Sequence, residues 1–147
     1  MALVTVPSPV DTARAMSQEN VEVVRSVYEA WARNDLPGPA RLFDAQIEYV
    51  NPPNAVEPGT RQGLAAFSRA VHDVFAGLEA WQIEPERFLP AGERVAVVVR
   101  YRAHWRASGV DVEAHESALW TVRDGKVVRY EWFHGPNDAL EAVGLWE

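Results

Sequence analysis

From Gly77 onward the chain has a single texture, and it constrains the fold more than any other feature of the sequence. The runs "AWQIEPERFL", "RVAVVVRYRAHWRA", "VDVEAHESALWTV" and "KVVRYEWFH" alternate in polarity and are rich in β-branched and aromatic residues. Turn signals at Ala91-Gly92, Ser108-Gly109 and Asp124-Gly125 separate them, which predicts an antiparallel meander. A sheet of this kind must bury one face, and the first half of the chain supplies helices to cover it. "SQENVEVVRSVYEAWARND" reads as a helix with Ser17 as its cap and Glu19 in its first turn. Val21, Val24, Tyr28 and Trp31, with Val27, recur at spacings of three and four and form its apolar face. Asn34-Asp35 ends it. "LPGPARLF" then reads as a short second helix with Pro39 near its first turn. "IEYVN" is a short strand running into the Pro/Gly-rich loop "PPNAVEPGTRQG", and Leu64, Phe67, Val71 and Val74 mark a third helix. "PNDALEAVGL" closes the chain as a short terminal helix. The expectation is an α+β fold with three N-terminal helices on a curved, mostly antiparallel sheet.

With 147 residues, 48% of them hydrophobic, the chain can form one domain with a substantial core. Residues 1–16 are expected to be a disordered tail and 17–147 the domain, with Met16 as a second candidate start. The opening "MALVTVPSPVDTARA" has no basic segment ahead of its apolar patch, so it does not read as a signal peptide. Fourteen basic residues against 21 acidic ones give a net charge of −7, which argues against a nucleic-acid partner. No apolar run reaches membrane-spanning length. The absence of cysteine excludes disulfides and thiolate chemistry and agrees with a cytoplasmic setting.

The turns also predict which side chains share a face. A two-residue turn at Ser108-Gly109 sets Arg106 across from Asp111, His104 from Glu113 and Arg102 from His115, a charged outer face. The inner face then pairs Trp105 with Val112, Ala103 with Ala114, Tyr101 with Glu116 and Val99 with Ala118. The next turn allows two registers. A two-residue Asp-Gly turn turns Arg129 and Glu131 inward, whereas a three-residue Arg-Asp-Gly turn sends Val128, Tyr130 and Trp132 there. Burial favours the second, with Trp132 across from Glu116, Tyr130 across from Ala118 and His134 near Ala114. Glu116 is the most informative of these residues. A charged, unpaired acid on an apolar face is costly, so it must be paired or hold its proton more tightly. In the second case it is suited to proton transfer. In the first it is only a structural hydrogen-bond partner of Tyr101, Tyr130 or the Trp132 indole. His134, at the end of its strand, suits proton transfer near neutral pH, and solvation there is the simpler explanation. His72-Asp73 and His104 with His115 match no metal motif, so no metal is expected.

The segments "VEVVRSVYEAWARNDL", "GTRQGLAAFSRAV", "ALWTVRDGKVVRYEWF" and "DALEAVGL" resemble the SnoaL-like branch of the nuclear-transport-factor-2-like superfamily. The resemblance implies a cone-shaped α+β barrel over a deep pocket, dimeric through its sheet. The chain is similar to ketosteroid isomerases in its helix–loop segment, but their catalytic base falls on Asn51 and their oxyanion-hole tyrosine and acid on Val27 and Ala118. It also resembles limonene epoxide hydrolases, whose water-holding tyrosine and asparagine correspond to Tyr49 and Asn51 while their acid–arginine–acid group falls on Val99, Tyr101 and Trp132. SnoaL-type cyclases place an aspartate where Trp132 stands. The family's chemistry therefore does not transfer as it stands. The expectation is an enzyme without cofactor acting on an apolar, oxygenated small molecule. Glu116 and His134 would transfer protons, and Tyr49, Asn51, Tyr101, Tyr130, Trp132, Val99, Ala118 and Val27 would line the site. The alternative is a binding protein that has lost the family's acids.

Overall fold

A computed structural model describes residue 6 and residues 8–145. The chain forms α1 (Pro9–Ala32), a 3₁₀ turn (Ala40–Leu42), β1 (Phe43–Asn51), β2 (Gly59–Gln62), α2 (Leu64–Ala76), β3 (Leu78–Ala91), β4 (Arg94–Trp105), β5 (Asp111–Arg123), β6 (Lys126–Phe133) and α3 (Asp138–Ala142). One six-stranded sheet runs β2-β1-β6-β5-β4-β3, parallel between β1 and β6 and antiparallel elsewhere.

The α+β class is as read, but the helices are distributed differently. Two long helices lie in the N-terminal half. "LPGPARLF" gives only a 3₁₀ turn, because Gly38 at φ +112° and the non-helical Pro39 leave too little helical backbone. The third α-helix is α3 at the other end of the chain, and it covers the outer face. Ala139 and Leu140 pack there on Ala96, Val98 and Leu119, so the middle of that face is apolar rather than charged. β2 arises within the predicted loop; its GTRQ sequence has no apolar alternation to announce it.

Helix α1 begins earlier than expected. Ser8, not Ser17, is its cap: the Ser8 Oγ accepts a hydrogen bond from the Asp11 N–H at 3.2 Å, and Pro9 occupies the first turn. Residues 9–16 of the expected tail are thus helical and exposed, which is why apolar periodicity gave no sign of them. Residues 1–5 and 7 lie outside the described residues. At the other end Asn34, at φ 63°, terminates the helix as read, with the Asp35 N–H donating to the Ala30 carbonyl at 2.8 Å.

The strand registers also differ from the reading, without exchanging the faces. Between β4 and β5 the partners are His104–Asp111, Arg102–Glu113, Arg100–His115, Tyr101–Ala114, Val99–Glu116 and Val97–Ala118. A longer loop, closed by Trp105 N–H to Val110 O at 2.9 Å, replaces the two-residue turn. The resulting shift is even, so every side chain keeps its face. Between β5 and β6 the turn has two residues after all, with Asp124 at φ 52° and Gly125 at φ 75°. A bulge then separates the Val122–Val127 pair from Thr121–Arg129, placing Val127 inside and Val128 outside. Tyr130 and Trp132 face inward as expected, but through the bulge and not a three-residue turn. Trp132 stands across from Ala118, and Tyr130 from Trp120.

The inner face and the helices enclose a core of Val24, Val27, Tyr28, Trp31, Phe67, Val97, Val99, Trp120 and Tyr130. Ser117 is a buried polar residue on the opposite face. Its hydroxyl donates to the Gly135 carbonyl at 2.6 Å and accepts from the Ala139 N–H at 3.0 Å, tying α3 to β5. Ser117→Ala leaves the buried Ala139 N–H without its acceptor and the Gly135 carbonyl with only the Asp138 N–H at 3.4 Å. It is expected to cost about 1–3 kcal/mol in urea unfolding, with α3 becoming the first protease-sensitive segment.

Candidate functional site

At the end of the sheet where β1 and β6 finish, inward-facing polar groups from several strands converge. β1 carries Tyr49 and Asn51, β4 Tyr101, β5 Glu116 and β6 Tyr130 and Trp132, while α1 lays Tyr28 across them. β-strand alternation puts the sheet residues on one face. The ladder between β5 and β6 stops at Ser117–Phe133, so Glu116 lies just beyond the paired region.

Below this rim the space between sheet and helices is occupied by rings. Trp120 and Tyr130 are 4.3 Å apart by centroid, Tyr49 and Tyr130 5.4 Å, and Tyr28 and Trp120 5.5 Å, all of them buried. Two clefts among the described residues, of about 620 and 600 Å³, lie elsewhere, and Glu116 lines neither of them. Val27, Val99 and Ala118 are buried packing residues, with Val99 directly across from Glu116 and Ala118 across from Trp132.

Glu116 is half-buried, and among the described residues no side chain donates a hydrogen bond to it or forms an ion pair with it. Burial pushes its carboxyl up to about 7. The surrounding phenols are all shifted upward, mainly by burial. Tyr49 reaches about 12, Arg61 acting against the rise, and Tyr28, Tyr101 and Tyr130 are likewise raised well above the usual phenol range. At neutral pH they are uncharged donors within electrostatic reach of the carboxyl. Tyr28 went unnoticed in the sequence because it sits on the apolar stripe of α1. Its hydroxyl accepts from the Trp120 indole N–H at 3.1 Å and faces Tyr101.

Asn51 does not present a free amide. Its Oδ1 accepts from the Trp132 indole N–H at 2.6 Å and its Nδ2 donates to the Glu57 carbonyl at 2.7 Å. It therefore fixes Trp132 against the loop that follows β1. His134 is exposed one residue beyond β6, its ring 4.8 Å from the Trp132 indole and edge-on to it; the position is level with Glu116 and not Ala114. His104 and His115 lie on the other face with acids, the His104 Nδ1 2.8 Å from Asp111 and the His115 Nε2 2.8 Å from Glu86. Taken together, the rim offers one unpaired acid close to neutrality, protonated phenols and an oriented indole. That set can hold a polar group of a ligand and exchange a proton with it.

In solved structures the same fold recurs. The chain is similar to a nuclear-transport-factor-2-like protein of unknown function from Burkholderia pseudomallei, at 22% identity over 85% of this chain and 97% of that one, TM-score 0.69. It is also similar to a candidate SnoaL-like polyketide cyclase from Jannaschia sp., at 17% identity over 98% and 100% of the two chains, TM-score 0.71. A candidate hydroxylase from Streptomyces galilaeus shares 20% identity over 87% of this chain and 97% of that one, TM-score 0.67. No curated protein matches the chain significantly. Residues 24–130, more than half of the chain, match the SnoaL-like domain family, which shows that the chain belongs to it.

Proposed function

We propose that the protein is a cofactor-independent enzyme, of isomerase, cyclase or hydrolase type, acting on an apolar oxygenated small molecule bound at the rim of the cone. The observation that carries this reading is Glu116, an unpaired, half-buried carboxyl pushed up to about 7 on the inner face of the sheet. Such an acid can take a proton from carbon or oxygen and return it at neutral pH. Tyr101 and Tyr28 would donate hydrogen bonds to the substrate oxygen, Trp132 would form a wall held by Asn51, and His134 would carry protons to solvent. Tyr49 and Tyr130 support the floor. That structures of this fold include a candidate cyclase and a candidate hydroxylase agrees with small-molecule chemistry.

The test is exchange of α-protons of a panel of cyclic ketones in D₂O, followed by NMR with a chelator present. Wild type is expected to accelerate exchange, with activity rising through pH 7 as Glu116 ionises, and Glu116→Gln to lose about 10²–10⁴-fold. Full activity in the variant would refute the assignment. Ligand-induced shifts without exchange would select the binding-protein reading, which the neutral side chains at Val27, Asn51, Ala118 and Trp132 favour. A homodimer through the charged end of the outer face, where Arg100, Arg102 and His104 stand among Glu79, Glu86 and Glu113, is part of the same proposal. Sedimentation is expected to show a dimer that weakens with added salt; a monomer at micromolar concentration at low salt removes it.

A further inference from the structure

β4 and β5 continue past the core, and beyond Tyr101 their inner face remains apolar and only partly covered by the described residues. Beyond Glu116 the inward residues are Tyr101, Ala103 and Trp105 on β4 and Ala114 and Val112 on β5, paired as Tyr101–Ala114 and Ala103–Val112. Trp105 is 42% exposed and Val112 37%, and Val110 in the connecting loop is 54% exposed. Isolated exposed apolar residues need no explanation, but a continuous strip does. The strip has a shape. Ala103 and Ala114 form its low floor, and Trp81 and Ile83 of β3, paired with Ala103 and Tyr101, raise one wall. Trp105 closes the far end with its ring over Gly77, where a Cβ would come within 2.5 Å of it. Four residue steps of strand lead from Val112 to Glu116, a span of ~13 Å.

The near end is chemically different. Glu116 is the polar terminus of the strip, and the basic residues of β4 nearby belong to the opposite face: Arg100 and His104 with their acidic partners, and Arg102 across from Glu113. Among the described residues no cation on the inner strip would receive an anionic group, and the chain carries a net charge of −7. We infer that the inner face of the β4–β5 hairpin, from Trp105 and Val112 to Glu116, binds an elongated apolar chain whose head at Glu116 is a hydrogen-bonding, non-anionic group. The inference rests on the reading of Glu116 as a ligand contact, and it adds the shape and head-group class of the ligand. Ala103 and Ala114 then set the accepted chain width, and Trp105 the accepted length.

The test is binding of a homologous series of straight-chain 1-alkanols to the full chain, read by indole fluorescence and by amide NMR shifts at Ala103 and Ala114. Affinity is expected to rise by up to about fourfold per methylene. It should level off near roughly ten carbons, the number that spans the strip at bond lengths of about 1.5 Å. Carboxylates of the same length should bind about tenfold more weakly at pH 8, and Glu116→Gln should narrow that gap. Ala114→Leu should make the series level off at shorter chains while the shortest alkanols keep their affinity. Flat length dependence, or equal binding of alkanols and carboxylates, overturns the inference. So does a dimer that Trp105→Asp splits and long alkanols leave intact, because the strip would then be a subunit contact. Length-dependent binding without α-proton exchange would leave the strip standing and remove only the catalytic role of Glu116.

Discussion

Trp120→Ala is expected to cost about 3–5 kcal/mol in denaturant unfolding, a large share of the roughly 5–15 kcal/mol that holds a domain of this size folded. Trp120 is fully buried and its ring lies against Tyr28, Trp31 and Tyr130. Removing it empties the junction of α1 with the sheet, and rigid aromatic neighbours close such a void poorly. The indole N–H also donates to the Tyr28 hydroxyl, so truncation removes a buried hydrogen bond as well as volume. Trp120→Phe separates the two effects. It keeps most of the packing, and its expected cost is about 1–2 kcal/mol from the lost donor. If the alanine variant unfolds at nearly the wild-type midpoint, the ring cluster is not what joins helix to sheet.

The second large effect concerns pH. The folded-state pKa of Glu116 is raised from 4.5 to about 7 by burial. The folded protein therefore binds this proton more tightly than the unfolded chain does. Its contribution is fully present below about 4.5 and is lost as pH rises through about 7. At about 1.4 kcal/mol per pH unit over that window, wild type should lose about 2–3 kcal/mol relative to Glu116→Gln between pH 4.5 and 8. The glutamine side chain is neutral throughout, so its variant lacks this component of the profile. Urea unfolding of both proteins across this range gives the comparison directly. Parallel profiles would mean that Glu116 is solvated in the folded state, and its proposed chemistry would go with them.

How much of this was legible in the sequence depends on what signal each element left there. The strands of the second half and the helix α2 were visible because burial on one face imposes a period on the residues. The inward placement of Glu116, Tyr101 and Trp132 was legible for the same reason, since parity survives an even shift in register. The length of the Ser108-Gly109 loop was not, because Gly109 at φ 70° suits more than one loop. The first two turns of α1 bury nothing, and only the Ser-Pro-Val-Asp start announced them; read as a cap followed by an acid, it would have moved the boundary. Asn51 could not be assigned from sequence because its hydrogen bonds reach Trp132 and Glu57, which are distant in the chain or loop-borne. The filling of the cone depends on how six or more rings interlock, and periodicity carries no information about that.

The turn and bulge that open β6 act as one unit. The Asp124-Gly125 turn alone would face Arg129 and Glu131 into the core, and the extra residue at Val128 reverses that. A sequence that gains one residue in the turn must lose the one at Val128, or the strand's polarity inverts. Deleting Val128 alone should be ruinous, and restoring one residue within the turn should rescue it. In descendants of this sequence the two positions are therefore expected to gain and lose residues in step.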